Sequence, residues 1–88
     1  MLYTIGHTKN YMDAIASYGH ISKKAGGYVF LTYEDALKRI EEEGKTKEWS
    51  VFGVKAEEAQ TQPDPNGGWW SLLTEDAVFC STTHKRSG

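Results

Sequence analysis

The chain has 88 residues, of which 39% are hydrophobic and 25% charged, and its twelve acids against ten bases give a formal net charge of -2 at pH 7. This length fits one domain, and the balanced composition excludes a disordered acidic tail and a polybasic nucleic-acid arm. A single cysteine excludes an internal disulfide, no apolar run approaches the roughly 20 residues of a transmembrane helix, and the first residues lack the basic start of a signal peptide, so we expect a cytoplasmic protein without a membrane partner.

The first predicted elements are a strand and a helix. Leu2 to Ile5 are apolar or β-favouring residues, and Gly6 ends the run. The next segment has apolar residues at helical spacing, namely Tyr11, Ala14, Ile15 and Tyr18. Asn10 is placed to cap the first turn, and Gly19 is placed to end the helix in the left-handed conformation.

A second strand and helix follow. Tyr28 to Leu31 reads as a strand, and His20 to Lys23 could form a hairpin arm with it. The helical apolar residues are Tyr33, Ala36, Leu37 and Ile40. Thr32 with Asp35 resembles a capping box, and Gly44 closes the helix. The spacing also predicts ion pairs between Glu34 and Lys38 and between Asp35 and Arg39.

The remaining chain contains two predicted strands and a loop. Trp49 to Ala56 is the longest strand candidate, and Ala77 to Cys80 is the last. Gln60 to Gly68 holds both prolines and two glycines, which predicts a turn-rich loop. We therefore expect one domain over residues 1–80 and a polar C-terminal tail over residues 81–88.

Both faces of the predicted sheet are apolar. In the longest strand Trp49 and Val51 point one way and Phe52 and Val54 the other, because side chains alternate across a sheet. We predict an α+β fold, an antiparallel sheet of four to five strands with two helices packed on one face. The other face then needs cover from the tryptophan-containing loop or from a second copy of the chain, which predicts a homo-oligomer.

Trp69 and Trp70 are adjacent aromatic residues after a flexible turn. If this segment is extended, the two rings point in opposite directions. Three interpretations remain open: both rings cover the chain's own sheet, one ring anchors a partner, or a ring stacks on a ligand.

His7 and Glu57 are the best candidates for polar contacts with a ligand. His7 follows the first strand beside Gly6, where glycine lets a ligand approach the backbone, and Glu57 closes the longest strand. No His or Cys pair has a metal-binding spacing, so we expect no metal site, and Cys80 fits a small buried thiol. A polar residue satisfied by its own turn is the alternative for His7.

Three segments resemble small uncharacterised bacterial proteins, including products of mobile gene cassettes such as integron cassettes. They are Gly27 to Ala36 (GYVFLTYEDA), Trp49 to Val54 (WSVFGV) and Trp70 to Leu73 (WSLL). This resemblance implies an α+β fold and an oligomer, and no activity.

A second resemblance is to ADP-ribosyltransferase-like proteins. It rests on Leu2 to His7 (LYTIGH), on the helix from Asn10 to Gly19, and on the strand from Val29 to Thr32. The resemblance implies that His7, Thr32 or Tyr33, and Glu57 or Glu58 line a nicotinamide-dinucleotide pocket.

The sequence thus favours a small, non-catalytic interaction or ligand-binding module without a cofactor. Its expected partners are itself and a small molecule or a protein, and the scattered bases disfavour a nucleic acid. The alternative is an ADP-ribosyltransferase-like enzyme that uses NAD. The candidate binding residues are Trp69, Trp70, His7, Tyr33 and Glu57.

Overall fold

A computed structural model describes residues 2–20, 23, 25–65, 69–73 and 78–84, and for residues 78–84 it describes the backbone. In chain order the elements are β1 (Leu2–His7), α1 (Thr8–Tyr18), β2 (Tyr28–Val29), α2 (Tyr33–Glu42), β3 (Trp49–Lys55), a short 3-10 helix (Glu58–Gln60), β4 (Thr61–Pro63), β5 (Trp70–Leu72) and β6 (Val78–His84). The α+β class, with two helices and antiparallel strands, is confirmed.

The described strands form two antiparallel sheets of three strands each. The first sheet has the order β1-β3-β6, and the second has the order β2-β5-β4. The sequence predicts one sheet because it gives no strand signal in the loop from Gln60 onward. There Thr61 pairs with Leu72 and Pro63 with Trp70, so this segment supplies β4 and β5. Pro63 ends β4, a sheet-edge strand, where a missing N–H is tolerated.

The last strand runs beyond its predicted end at Cys80. In β6, Thr83 pairs with Phe52 and His84 with Val51, so residues 81–84 belong to the first sheet and not to a tail. Threonines favour extended backbone, and the open edge of β3 offers them hydrogen-bonding groups. The rest of the predicted tail, residues 85–88, lies outside the described residues, as do residues 21 and 22 of the predicted hairpin arm.

A short backbone bridge joins the two sheets. Tyr3 N donates to Phe30 O at 2.9 Å, and Phe30 N donates to Tyr3 O at 2.6 Å. Beside this bridge the fully buried Thr4 hydroxyl donates to the Tyr28 carbonyl at 3.0 Å. These bonds fix the end of β2 against β1, so the second sheet folds over the first at this corner.

The helix ends follow local sequence signals. Thr32 precedes α2, and its hydroxyl accepts a hydrogen bond from Asp35 N at 3.1 Å, as predicted. Gly19 ends α1 with a φ of 80° while its N–H donates to Ile15 O at 2.7 Å, which confirms the predicted left-handed cap. Helix α1 begins at Thr8, directly after β1, so Asn10 lies inside the helix and not at its cap.

The two helices pack against opposite faces of the first sheet. On one face, the ring of Tyr11 from α1 lies 4.9 Å from that of Phe52. On the other face, Ala36 and Ile40 of α2 pack with Ile5 and Val51. The expected packing of both helices on one face is therefore corrected, because β1 runs into α1 without a loop and α2 starts only after the crossing at Phe30.

Two buried clusters cover the two faces. The first cluster contains Leu2, Val29, Val54 and Leu72. The second cluster contains Ile5, Phe30, Ala36, Ile40 and Val51. Each of these residues is at most 5% exposed, so the chain itself covers both faces of β1 and β3. The sequence allows two ways to cover the second face, by the tryptophan-containing segment or by a second copy of the chain. In the structure the tryptophan-containing segment contributes Leu72 of β5 to the first cluster.

Gly6 permits the close approach of α1 to the sheet. The Tyr11 ring lies directly over Gly6, so that a side chain at position 6 would overlap it. A strand glycine covered by an aromatic ring in this way leaves no room for a Cβ atom.

We expect Gly6→Ala to lower the free energy of unfolding by about 1 to 3 kcal/mol, through overpacking against Tyr11. In a Tyr11→Ala background the same exchange should cost little, since the overlapping ring is gone and alanine is favoured over glycine in a strand. Chemical unfolding of both single variants and the double variant measures the coupling. An equal cost in both backgrounds would contradict this packing.

Candidate functional site

A cavity of about 260 Å³ lies between the α2 side of the first sheet and the second sheet. Its floor is apolar and consists of Ile5 and Phe30, each only 2% exposed. Ile5 comes from β1, and Phe30 stands at the bridge that joins the sheets. The corner between the sheets therefore forms the bottom of the cavity.

Three half-buried aromatic residues form the walls. Tyr28 comes from β2, Trp49 opens β3, and Trp69 precedes β5. The rings of Tyr28 and Trp69 meet edge to face, with centroids 6.3 Å apart and an interplanar angle of 64°. The backbone of Trp69 is held by a 3.1 Å hydrogen bond from Asp64 N to Trp69 O. These walls offer ring faces and edges, the surfaces that aromatic ligands prefer.

A charged pair stands at the mouth. Arg39 Nε lies 3.3 Å from Glu43 Oε1, and the two side chains are 32% and 47% exposed. The Arg39 guanidinium also lies 4.6 Å from the centre of the Trp69 ring, a cation-π contact. The predicted pair of Arg39 with Asp35 is thus replaced by one with Glu43, a member of the acidic run at the end of α2. Asp35 and Glu43 lie four residues before and after Arg39, one turn away in either direction, so the spacing alone does not choose between them.

Burial and nearby charges shift the pKa values of Tyr28 and of the neighbouring Lys23. Burial raises the pKa of the Tyr28 phenol, Arg39 lowers it and Glu43 raises it. The Lys23 ammonium lies 4.5 Å from the centre of the Tyr28 ring, and burial lowers the pKa of this lysine. Tyr28 is therefore a neutral hydroxyl donor near neutral pH.

The structure separates the two adjacent tryptophans, as the sequence predicts for an extended segment. Trp69 packs against the second cluster and lines the cavity, whereas Trp70 packs against the first cluster. Both rings are half-buried against their own chain. Of the sequence-predicted site residues, Trp69 is the one that lines this cavity.

The other candidates lie elsewhere. His7 is exposed at the end of β1, opposite Trp49, and Tyr33 packs edge to face on Tyr3 with ring centroids 6.1 Å apart. Glu57 caps the 3-10 helix, where its N–H donates to Gln60 Oε1 at 2.8 Å. Since Leu2 pairs with Val54 and His7 with Trp49, His7 and Glu57 lie at opposite ends of the β1-β3 pair, roughly 17 Å or more apart at about 3.4 Å per residue.

Sequence reasoning missed most of the cavity. Tyr28, Phe30 and Trp49 are recognisable as strand residues, yet strand patterns do not show which of them line a gap. Arg39 was recognisable only as a member of a helical ion pair. The available signal was the concentration of aromatic residues in strands near a helix that carries a single arginine.

Other kinds of site are not evident in the described part of the chain. Among the described residues, no group of three or more His, Cys, Asp or Glu side chains is placed to hold a metal ion. In the same residues, neither helix has the length and apolar character needed to cross a membrane. We found no protein-family model, no curated protein and no solved structure that matches this chain.

The raised pKa of Tyr28 predicts a loss of stability in alkali. Unfolding exposes the phenol, whose pKa is then about 10, so the unfolded chain releases this proton first as the pH rises. The contribution of Tyr28 to the free energy of unfolding is therefore complete below about pH 10. It is lost as the pH rises through the pKa of the phenol in the folded chain. As the pH rises above about 9, the free energy of unfolding should therefore fall more steeply for the wild type than for Tyr28→Phe.

Urea unfolding at several pH values measures this difference. Tyr18→Phe is the matched control, because it removes the same hydroxyl from a side chain that is 77% exposed. Parallel curves for the wild type and Tyr28→Phe would show that the prediction is wrong.

Proposed function

We propose that this chain is a non-catalytic module that binds a small ligand in the aromatic cavity. The observation that carries the proposal is a preformed cavity with a buried apolar floor, aromatic walls and a charged mouth. Binding sites for small molecules commonly combine apolar lining with a few polar groups that orient the ligand.

The volume limits the size of the ligand. An apolar cavity of about 150 Å³ holds benzene, and pockets for drug-sized ligands start at about 300 Å³. At about 260 Å³ this cavity suits a ligand of one or two rings, and a whole dinucleotide exceeds it. The alternative of an NAD-using enzyme is further disfavoured by the separation of His7 from Glu57. Calorimetric titration with NAD tests that alternative.

The chemistry of the lining supports binding over catalysis. Apart from the indole N–H groups of Trp49 and Trp69, the polar functional groups of the described lining belong to Tyr28, Arg39 and Glu43. Arg39 and Glu43 neutralise each other, and Tyr28 is a weak acid whose proton is retained. Among the described lining residues there is no serine, threonine, cysteine or histidine, so the lining does not form the common Ser–His or Cys–His pairs of covalent catalysis.

Self-association and a cytoplasmic location stay predictions. The sequence predicts a homo-oligomer because one sheet face needs cover from a second copy of the chain. The structure weakens this reason, because the chain itself covers both faces of β1 and β3. The C-terminal end of α1 remains exposed, since Tyr18 is 77% exposed. If copies associate through this end of α1, Tyr18→Ser should lower the solution mass measured by light scattering, and an unchanged oligomeric mass would contradict the use of this surface.

The two adjacent tryptophans provide a matched test of ligand binding. We expect Trp69→Ala to weaken binding of indole, an uncharged aromatic probe, by about tenfold, because it removes a cavity wall. Trp70→Ala should change the affinity by less than about twofold, since Trp70 packs in the other cluster. NMR titration of backbone amide shifts measures the affinities and should place the largest shifts around Tyr28, Phe30 and Trp69.

Circular dichroism of each variant confirms that the fold is kept before affinities are compared. Equal weakening by both substitutions, or amide shifts centred away from the cavity, would contradict the proposed site.

A further inference from the structure

We infer that the ligand is a planar aromatic carboxylate, with one or two fused rings inside the cavity and the carboxylate at the mouth on Arg39. This inference rests on the proposed function and adds the chemical class of the ligand.

The shape of the cavity selects a flat ring. The floor of Ile5 and Phe30 is almost fully buried and carries no polar side-chain atom, so a polar group placed there would lose its hydrogen bonds with water. The walls are the rings of Tyr28, Trp49 and Trp69, which can form stacked or edge contacts with a planar group. The apolar part of the ligand therefore lies inward and its polar part at the mouth.

Arg39 is suited to hold a carboxylate. A guanidinium has five N–H donors, and the ion pair with Glu43 is made through Nε. Within the described residues, the ion pair that the structure shows for Arg39 is made at Nε and not at the terminal nitrogens. The contact with the Trp69 ring places the guanidinium beside the cavity. A carboxylate on a ring in the cavity can meet these nitrogens in two parallel hydrogen bonds.

The same contacts disfavour a cationic ligand. Aromatic walls with a nearby acid also describe a site for ammonium groups. Here, however, the Arg39 guanidinium itself lines the cavity beside the Trp69 ring, so a cationic ligand would meet a like charge at the mouth. The neutral Tyr28 hydroxyl adds a hydrogen-bond donor to the cavity, from which an anionic ligand can accept a hydrogen bond.

Glu43 then acts as a competitor for Arg39. Its carboxylate contacts the guanidinium that a ligand carboxylate would use, and it is 47% exposed and so can move into solvent. Removing its charge should therefore strengthen binding of an acid and leave binding of an uncharged ring unchanged.

The test compares β-naphthoate with β-naphthamide, which share ring and shape and differ in charge. On the full chain near neutral pH and at low salt, we expect naphthoate to bind at least about tenfold more tightly. Arg39→Gln should abolish this preference, while Glu43→Gln should raise the naphthoate affinity about threefold. Lys38→Gln is the matched control, since Lys38 is a neighbouring cation outside the cavity lining, and it should preserve the preference.

The outcomes separate the two proposals. Equal affinities for the acid and the amide, or a preference that survives Arg39→Gln, would overturn the inference and leave the proposed function standing. Tighter binding of phenyltrimethylammonium than of naphthoate would overturn it in favour of a cationic ligand. Failure of both naphthalene probes to bind would overturn the proposed function itself.

Discussion

The backbone bridge between Tyr3 and Phe30 is the constraint on which the rest of the structure depends. With the buried hydroxyl of Thr4 donating to the Tyr28 carbonyl, it turns the second sheet across the first. Because the chain changes sides at this corner, Val29 and Phe30 enter different clusters. One local set of hydrogen bonds thus determines both the covering of the first sheet and the floor of the cavity.

The sequence predicted correctly those features that depend on a few neighbouring residues. The hydroxyl of Thr32 and the left-handed Gly19 are helix-end signals that depend on a few neighbouring residues, and both appear as predicted. The alternation in Trp49 to Val54 likewise fixed the two faces of β3. Features that depend on pairing between distant segments were missed. Strand β4 is the example: its proline argues against a strand, and the segment is extended because it pairs with β5.

The side on which each helix packs was also beyond sequence reasoning. The periodicity of α1 and α2 gives each an apolar face but does not say which face of the sheet it meets. Gly6 is the decisive residue, because a missing Cβ lets Tyr11 approach the sheet. For the candidate site, the divergence of Trp69 and Trp70 was predictable, while the role of Arg39 required knowing which aromatic ring its helix would face.

The adjacent indoles of Trp69 and Trp70 tie the two clusters together covalently. Trp70 begins the three-residue strand β5 and Trp69 directly precedes it, so a shift of the backbone at this point moves side chains in both clusters. Over evolutionary time, amino-acid replacements in one half of the interior would have to be matched by compensating replacements in the other. The repertoire of tolerated sequences is then narrower than two independent cores would allow.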